Sequence, residues 1–241
     1  YQGKDGTLLW DKPIGFSGPC LINDKDILTQ NAGYNLFTGA GKTKKDPITN
    51  DIVNWNFAKN YGCTTAVASK NLLVFRSTTA AYFDLTNNGG TGNFGGFRLS
   101  CTSNMIIADG IVSVPDYTRP CTCSYQNQTS LALVHNPVIE TWTFTNSKWN
   151  KRPIQMLGIN LGAPGDYTTE SGCLWVEFPV VGGPSQDIPI KITPENSVPF
   201  RQHSSLLQNS EFSFVGASGV KGIQTLTIPT GNADNIETYY T

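Results

Sequence analysis

Charged residues are scarce in this chain of 241 residues. Asp, Glu, Lys and Arg together make up 15% of the sequence, and the formal net charge is −1. Nucleic acids and anionic membrane surfaces are bound by dense Lys and Arg patches. The one cationic cluster, residues 42–45, is short and interrupted by Thr43. The composition therefore favours neither nucleic acid nor an anionic membrane surface as a partner.

Long apolar runs and helical periodicity are also missing. No stretch approaches the ~20 apolar residues of a membrane span, so no membrane span is predicted. No stretch of about ten residues keeps an apolar repeat of 3.6, which argues against a helical body. No signal peptide is visible, so we expect any export signal to have been removed or to lie outside this sequence.

Residues that carry catalysis or bind metal are few. The two histidines, His135 and His203, do not stand at ligand spacing from the cysteines, and Cys121-Thr-Cys123 is not a CxxC knuckle. Ser204 and Ser205 adjoin His203, but neighbours in sequence rarely meet in triad geometry. Five carboxylates could serve glycoside cleavage, yet their spacing singles out no pair: Asp84, Asp116, Asp166, Glu170 and Glu177. We therefore predict no catalytic residue, no metal site and no cofactor.

Glycine, proline and cysteine are well represented. The 24 glycines and 14 prolines favour turns and strands over helices. Six cysteines indicate disulfides in an oxidising compartment, with buried thiols or a metal site as the alternatives. The candidates are Cys20, Cys63, Cys101, Cys121, Cys123 and Cys173. Six cysteines allow 15 connectivities, among which the sequence does not choose.

Three segments share one succession of parts. Each begins at a cysteine (Cys20, Cys63 or Cys101), continues through a polar turn into an apolar strand, and ends in an aromatic segment around Tyr34, Tyr82 or Tyr125. The predicted strands are 26–30, 72–76 and 111–115. Units of about 40 residues that hold several short strands are typical of propeller blades. The glycine-rich segment 87–96 is predicted to be a wide turn rather than a phosphate-binding loop.

The composition shifts after Trp149, which predicts a second all-β region of sandwich or jelly-roll character. Its predicted strands include 174–178, 188–192, 212–215 and 223–228. We therefore divide the chain into propeller blades over 1–148 and a sandwich region over 149–241. Both ends read as mid-domain sequence, so we expect the chain to be a piece of a longer polypeptide or one part of an assembly.

Several segments resemble exported, quinoprotein-like β-propeller proteins of planctomycete-type bacteria. They are 61–65, 72–77, 80–85, 92–98, 115–119 and, most specifically, 121–130. Segments 158–166, 174–179 and 217–222 resemble the region that leads into a malectin-like sandwich in such proteins. The resemblance implies a partial propeller of about three blades, related in shape to quinone-cofactor dehydrogenases, joined to a module similar to sugar-binding jelly rolls. It implies no bound quinone, because Cys-Thr-Cys replaces the adjacent cysteines of those enzymes.

Two groups of residues are candidates for binding. Trp149, Tyr167 and Trp175 are candidates for stacking on sugars, because an aromatic ring packs against the C–H face of a pyranose. Arg76, Arg98 and Arg119 each follow or adjoin an aromatic residue, and inward-facing guanidinium groups could contact an anion. The alternative, which we favour, is that these arginines tie neighbouring blades together through backbone carbonyls.

Three functions remain open at this stage. The first is a non-catalytic, exported structural or interaction subunit of the periplasm, cell surface or extracellular space. Its partners would be protein subunits of a larger assembly or the rest of its own polypeptide. The second is a carbohydrate-binding module with a glycan partner, and the third is a fragment of a quinone-dependent oxidoreductase.

Overall fold

A computed structural model of the chain divides it into two compact units. The first comprises Tyr1–Lys45 and Asp51–His135, and the second Asp46–Asn50 and Asn136–Thr241. The structure describes residues 1–15, 18–30, 32–101, 103–115, 123–127, 129–136, 140–145, 148–181, 186, 188–207 and 212–228. The predicted boundary between residues 148 and 149 falls inside the second unit. The prediction of an all-β chain is confirmed.

The described residues of the first unit form four antiparallel sheets. The first sheet is formed by β1 (Leu21–Asn23), β2 (Asp26–Leu28) and β3 (Gly33–Asn35), and β4 (Thr43–Lys45) pairs with β5 (Ile52–Asn54). The second sheet contains β6 (Val67–Ala68), β7 (Leu72–Ser77), β8 (Thr79–Asp84) and β9 (Thr91–Asn93). The third contains β10 (Ile106–Ala108), β11 (Ile111–Val114) and β12 (Leu131–Val134).

The first, second and third sheets are formed by the three segments that begin at a cysteine in the sequence pattern. Each predicted apolar strand is present as β2, β7 or β11, and each follows its neighbour through a tight turn. Asp109 and Gly110 have φ of 50° and 77°, the backbone that joins a two-residue hairpin with the right twist. The predicted order of a polar turn and then an apolar strand is confirmed in all three segments.

The aromatic segment around Tyr125 follows β11 as expected but is not a strand. Tyr125 has φ of 66°, and β12 completes the third sheet. The segment 87–96 is not a wide turn throughout, because it contains β9, whose Gly92 pairs with Tyr82. In both places cross-strand pairing decides the structure, and the number of aromatic residues or glycines in a segment does not predict that pairing.

The sheets of the first unit pack face to face through the second sheet. One of its faces carries Leu73, Phe75 and Phe83, which pack with Leu28 of the first sheet and with the buried Trp55. The opposite face carries Val74 and Tyr82, which pack with the inner face of the third sheet, where Val112 and Val114 are buried. Alternation along β7 and β8 therefore gives both faces of the second sheet an apolar core.

Three turns of five residues share one hydrogen-bond pattern, at 35–39, 46–50 and 84–88. The first side chain (Asn35, Asp46 or Asp84) accepts a bond from the backbone N–H two residues further on. The fifth residue donates its N–H to the carbonyl of the first over 2.9–3.0 Å and has a positive φ. Glycine and asparagine tolerate that φ, which explains the residues at the fifth position, Gly39, Asn50 and Asn88.

The second unit is a set of short strands around a small core. Its strands are β13 (Thr143–Phe144), β14 (Gly158–Leu161), β15 (Tyr167–Thr168), β16 (Leu174–Phe178), β17 (Lys191–Thr193), β18 (Val198–Arg201), β19 (Ser218–Lys221) and β20 (Thr225–Thr227). Strand β16 pairs in parallel with β14 and antiparallel with β15, while β17 pairs with β20 and β18 with β19. A 3-10 turn covers Ser204–Leu206.

The strand predicted at 212–215 is wrong, because Ser213–Gly216 forms the short helix α1. Phe214 is buried there among other aromatic rings, so the burial of a single ring outweighs the local apolar alternation. The strands predicted at 174–178 and 223–228 are present as β16 and β20, and the one at 188–192 is shifted to β17.

The core of the second unit includes a residue from early in the chain. Ile48 is fully buried with Leu174, Val176, Ile188 and Ile190, and its carbonyl accepts a bond from the backbone N–H of Gln155 over 2.8 Å. These contacts explain why residues 46–50 belong to the second unit. Among the described residues, neither helical segment has the length or hydropathy needed to cross a bilayer.

Candidate functional site

Two of the predicted sugar-stacking residues lie in one aromatic cluster of the second unit. Tyr167 of β15 stacks on Phe214 with ring centroids 4.3 Å apart, and Trp175 of β16 contacts Phe214 edge-on at 5.5 Å. Trp142 and Phe212 complete the aromatic cluster, at 5.9 Å from Tyr167 and Trp175 respectively. All members except the buried Phe214 are half-buried.

The hydroxyl of Tyr167 lies in an acidic environment. Burial raises its pKa, and the charges of Glu140 and Glu170 raise it further, because a second negative charge is disfavoured there. Glu140 accepts a hydrogen bond from Ser204 Oγ. Small-molecule sites commonly combine aromatic side chains with a few polar groups that orient the ligand.

The third predicted residue, Trp149, lies elsewhere in this unit. It packs at the edge of the core formed by Ile48, Leu174 and Val176. Its Nε1 donates to the carbonyl of Arg152 over 3.0 Å, and its backbone N–H donates to Gln186 Oε1 over 2.8 Å. The structure therefore brings together Tyr167 and Trp175 but not Trp149.

Arg76 and Arg98 are buried and engaged with backbone carbonyls. Arg98 is inaccessible to solvent, and it donates to the carbonyls of Ser124 over 2.9 Å and Leu99 over 3.1 Å. Arg76 is 3% exposed and donates to the carbonyl of Thr78 over 3.3 Å. Arg119 lies outside the described residues. An anion contact at these arginines stays a prediction.

Two cysteines from distant parts of the chain meet at one tyrosine. The hydroxyl of Tyr61 lies 3.6 Å from Sγ of Cys63 and 4.0 Å from Sγ of Cys123. Arg76 contacts Tyr61 and Cys63. Its guanidinium lies 5.2 Å from the centre of the Tyr61 ring, and one of its N–H groups donates to Cys63 Sγ over 3.9 Å. We call these four residues the thiol site.

Backbone contacts fix the 61–63 segment of the thiol site against the end of β7. The carbonyl of Tyr61 accepts a bond from the N–H of Thr78 over 2.7 Å. Gly62 lies so close to Arg76 that a Cβ would fall 2.3 Å from the Arg76 carbonyl oxygen, so only glycine fits there. On the other side, the bond from Arg98 to the carbonyl of Ser124 holds the residue next to Cys123.

The two sulfurs raise the pKa of Tyr61 to about 12, chiefly through the hydrogen bond to Cys63 and then through that to Cys123. The phenol favours its protonated form because it can then donate to sulfur. Nearby, burial lowers the pKa of Lys59, whose ammonium group donates to the carbonyl of Thr64 over 2.7 Å.

The remaining cysteine candidates occupy different settings. Cys20 and Cys63 are exposed free thiols, and Cys123 and Cys173 are half-buried free thiols. Burial raises the pKa of Cys173, whose Sγ donates to the carbonyl of Leu174 over 3.9 Å. Cys101 Sγ accepts from Arg98 over 3.9 Å, and Cys121 lies outside the described residues. The predicted disulfides stay a prediction.

Buried polar residues that spacing did not single out meet in the second unit. Register pairs Asn160 of β14 with Glu177 of β16, and Asp166 accepts from the backbone N–H groups of Thr145 and Glu177 over 3.0 and 3.2 Å. All three side chains are at most 2% exposed. Burial raises the pKa of Asp166, because it removes the hydration that stabilises the charged carboxylate.

The remaining candidates for catalysis are described by their local settings. His135 is exposed directly after β12. His203 precedes the 3-10 turn, and its Nδ1 lies 2.7 Å from Ser205 Oγ. Asp84 caps the turn at 84–88, and Asp116 lies outside the described residues. Within the described residues no three His, Cys, Asp or Glu side chains are grouped so as to hold a metal ion.

The third sheet has an apolar face that is open to solvent. Its outer face consists of Ile111 and Ser113 of β11 together with their cross-strand partners, which are Ala108, Val134, Ile106 and Ala132. Ile106 is 60% exposed, Ile111 39% and Val134 72%. The inner face packs into the core with Val112 and Val114. The strands are thus apolar on both faces, although only one is covered.

The sequence reading did not identify the outer face, although a signal for it exists. Residues 106–108 and 131–134 are uninterrupted apolar runs, and such runs are typical of strands covered on both sides.

Comparison with models of known protein families, with curated proteins and with solved structures gave no match.

Proposed function

We propose that this chain is a non-catalytic interaction protein, built on propeller-like stacked sheets, that docks another antiparallel β-sheet onto the outer face of its third sheet. The observation that carries the proposal is the exposed apolar face around Ile111 and Val134. Water-exposed apolar surface of this kind is typical of a protein interaction site.

The second sheet supports a sheet as the occupant rather than a helix or a loop. Both of its faces are covered by neighbouring sheets of the same antiparallel type, through Phe75 on one side and Val74 on the other. The outer face of the third sheet offers a partner the same kind of surface that the second sheet buries. The partner is a protein subunit of a larger exported assembly or a further part of the same polypeptide.

Charge substitution on the outer face tests this proposal. Ile111 and Val134 are directly paired, so Ile111→Lys and Val134→Lys each place a charge on the same part of the outer face without entering the core. When its partner is absent, the outer face can pack against the outer face of a second copy, because that face is an antiparallel sheet of the same kind. We therefore expect wild-type protein to self-associate reversibly at high concentration in sedimentation experiments, and both variants to stay monomeric. Thermal unfolding should be unchanged, because both side chains are solvent-exposed.

Ile52→Lys is the matched control, since Ile52 is 67% exposed on the separate β4–β5 pair. It should self-associate as the wild type does. Wild-type protein that remains monomeric at every concentration, or three variants that behave alike, would contradict a docking role for the outer face.

The aromatic cluster supports carbohydrate binding as a second candidate function. Tyr167 and Trp175 lie in it together, and Glu140 and Glu170 influence the Tyr167 hydroxyl. Titrating a panel of neutral oligosaccharides while following tryptophan fluorescence tests the idea. Trp175→Leu and Tyr167→Leu should each weaken binding about fivefold or more, since a stacked ring contributes about 1 kcal/mol or more. Trp149→Phe, outside the aromatic cluster, should bind as the wild type does.

A further inference from the structure

The thiol site joins two cysteines that are 60 residues apart in sequence. Both sulfurs lie within hydrogen-bonding distance of the same oxygen, that of Tyr61. Such convergence is not a consequence of local chain geometry, since Cys63 precedes the second sheet and Cys123 precedes the last strand of the third. The site is independent of the outer face and of the aromatic cluster.

Solvent has access to one member of the pair. Cys63 is exposed and Cys123 is half-buried, so an external reagent reaches Cys63 first. Tyr61, which lies between the sulfurs, is 65% exposed and can swing into solvent without opening a cavity in the core. The guanidinium N–H of Arg76 donates toward Cys63 Sγ over 3.9 Å and holds this sulfur beside Tyr61.

We propose that Cys63 and Cys123 form a dithiol site that reacts with low-molecular-weight disulfides and closes into a Cys63–Cys123 disulfide. In the first step the Cys63 thiolate attacks a disulfide such as oxidised glutathione, forms a mixed disulfide and releases one glutathione thiolate. In the second step the Cys123 thiolate attacks Cys63 Sγ and displaces the other glutathione. Two protein thiols are oxidised, one glutathione disulfide is reduced, and the two protons pass to the released glutathione thiolates.

The disulfide links the segment before the second sheet to the segment before β12. It thereby restrains the packing of the second sheet on the third, in which Val74 and Val112 take part. Closing a loop of this length restricts the unfolded chain, so the oxidised protein should unfold about 10 °C higher than the reduced protein. The proposal also selects one pair among the connectivities that six cysteines allow.

Redox titration of the full chain in glutathione buffers, with peptide mapping under non-reducing conditions, tests the proposal. We expect a peptide that links Cys63 to Cys123, and only a glutathione adduct on the exposed Cys20. Cys123→Ser should trap glutathione on Cys63, and Cys63→Ser should abolish the internal link. Serine is nearly isosteric, and Cys20→Ser provides the matched control with unchanged oxidation of the pair.

A second measurement reports on the site without any cysteine substitution. When the disulfide forms, Tyr61 loses its two thiol partners, so its pKa should fall from about 12 toward the ordinary value and return on reduction. Tyr61→Phe should remove that titration. A link from Cys63 to Cys121, a stable glutathione adduct on Cys63 of the wild type, or two thiols that persist in excess oxidised glutathione would each overturn the proposal.

Discussion

Gly158 and Trp175 are directly paired across the parallel strands β14 and β16, and the indole lies over the glycine. A Cβ at position 158 would fall 2.2 Å from the ring, far inside van der Waals contact. The absence of a side chain at 158 therefore sets the position of Trp175 in the aromatic cluster. The pair connects the strand register of the second unit to its candidate sugar surface.

Gly158→Ala should displace the Trp175 indole and destabilise the protein. Overpacking of this kind costs about 1–3 kcal/mol, and the atoms that collide belong to the rigid ring rather than to a flexible end. Chemical denaturation measures the loss, and a changed tryptophan emission reports the displaced ring. Gly41→Ala is the control, because nothing lies within 4 Å of a Cβ there. Equal effects of the two substitutions would count against this account.

Trp55 and Asn88 should show energetic coupling. The buried Trp55 donates from Nε1 to Asn88 Oδ1 over 2.7 Å, and Asn88 occupies the positive-φ position of the turn at 84–88. Asn88→Gly keeps that backbone and loses the bond, so it should cost about 1 kcal/mol. Trp55→Phe should cost about 2 kcal/mol, because it also leaves a cavity.

The two substitutions together form a double-mutant cycle that isolates this bond. Each alone removes the same interaction, so the double variant should be about 1 kcal/mol more stable than the sum of the single effects implies. Additive losses of unfolding free energy would show that the hydrogen bond between Trp55 and Asn88 contributes nothing.

Asp166 should make the protein less stable as pH rises. Burial raises its folded-state pKa above the usual 3.8, so the protonated form is the one that folding favours. That contribution is full below the unfolded-state pKa and is lost as pH rises through the folded-state pKa. Asp166→Asn removes this titration. Relative to the wild type, the unfolding free energy of the variant should therefore increase between pH ~4 and pH ~7.

Urea unfolding of both proteins across that range measures the effect. Asp109→Asn is a matched control at an exposed turn position, where asparagine tolerates the φ of 50°. A difference between wild type and Asp166→Asn that does not change with pH would refute the assignment of a raised pKa to Asp166.

Tyr61 should be among the last tyrosines to ionise in the reduced protein. Its pKa of about 12 means that the folded state binds the phenolic proton more tightly than the unfolded chain does. The resulting stabilisation is present below the unfolded-state value and is lost as pH rises through 12. Phenolate absorbance should show this late step in the wild type and not in Tyr61→Phe. In Cys63→Ser the step should move to lower pH.

Much of the first unit could be predicted from local sequence. The apolar strands β2, β7 and β11 and the turns before them depend on neighbours two to four residues apart, which the sequence displays directly. The helix at Ser213–Gly216 could not be predicted in this way, since packing of Phe214 against Tyr167 and Trp175 decides it. The turns at 35–39, 46–50 and 84–88 share Asn or Asp at the first position and Gly or Asn at the fifth in the sequence, but only their hydrogen bonds reveal the common geometry.

The sequence by itself determined that the chain is all-β, that three antiparallel segments follow one another, and that aromatic residues and cysteines are available for binding or cross-linking. Only the tertiary structure decided that Cys63 meets Cys123 at Tyr61, that Asp166 is buried beside Glu177, and that Ile111 and Val134 face water. The physical reason is that strand periodicity is a local property. Burial and the meeting of distant side chains depend instead on which sheet faces pack together.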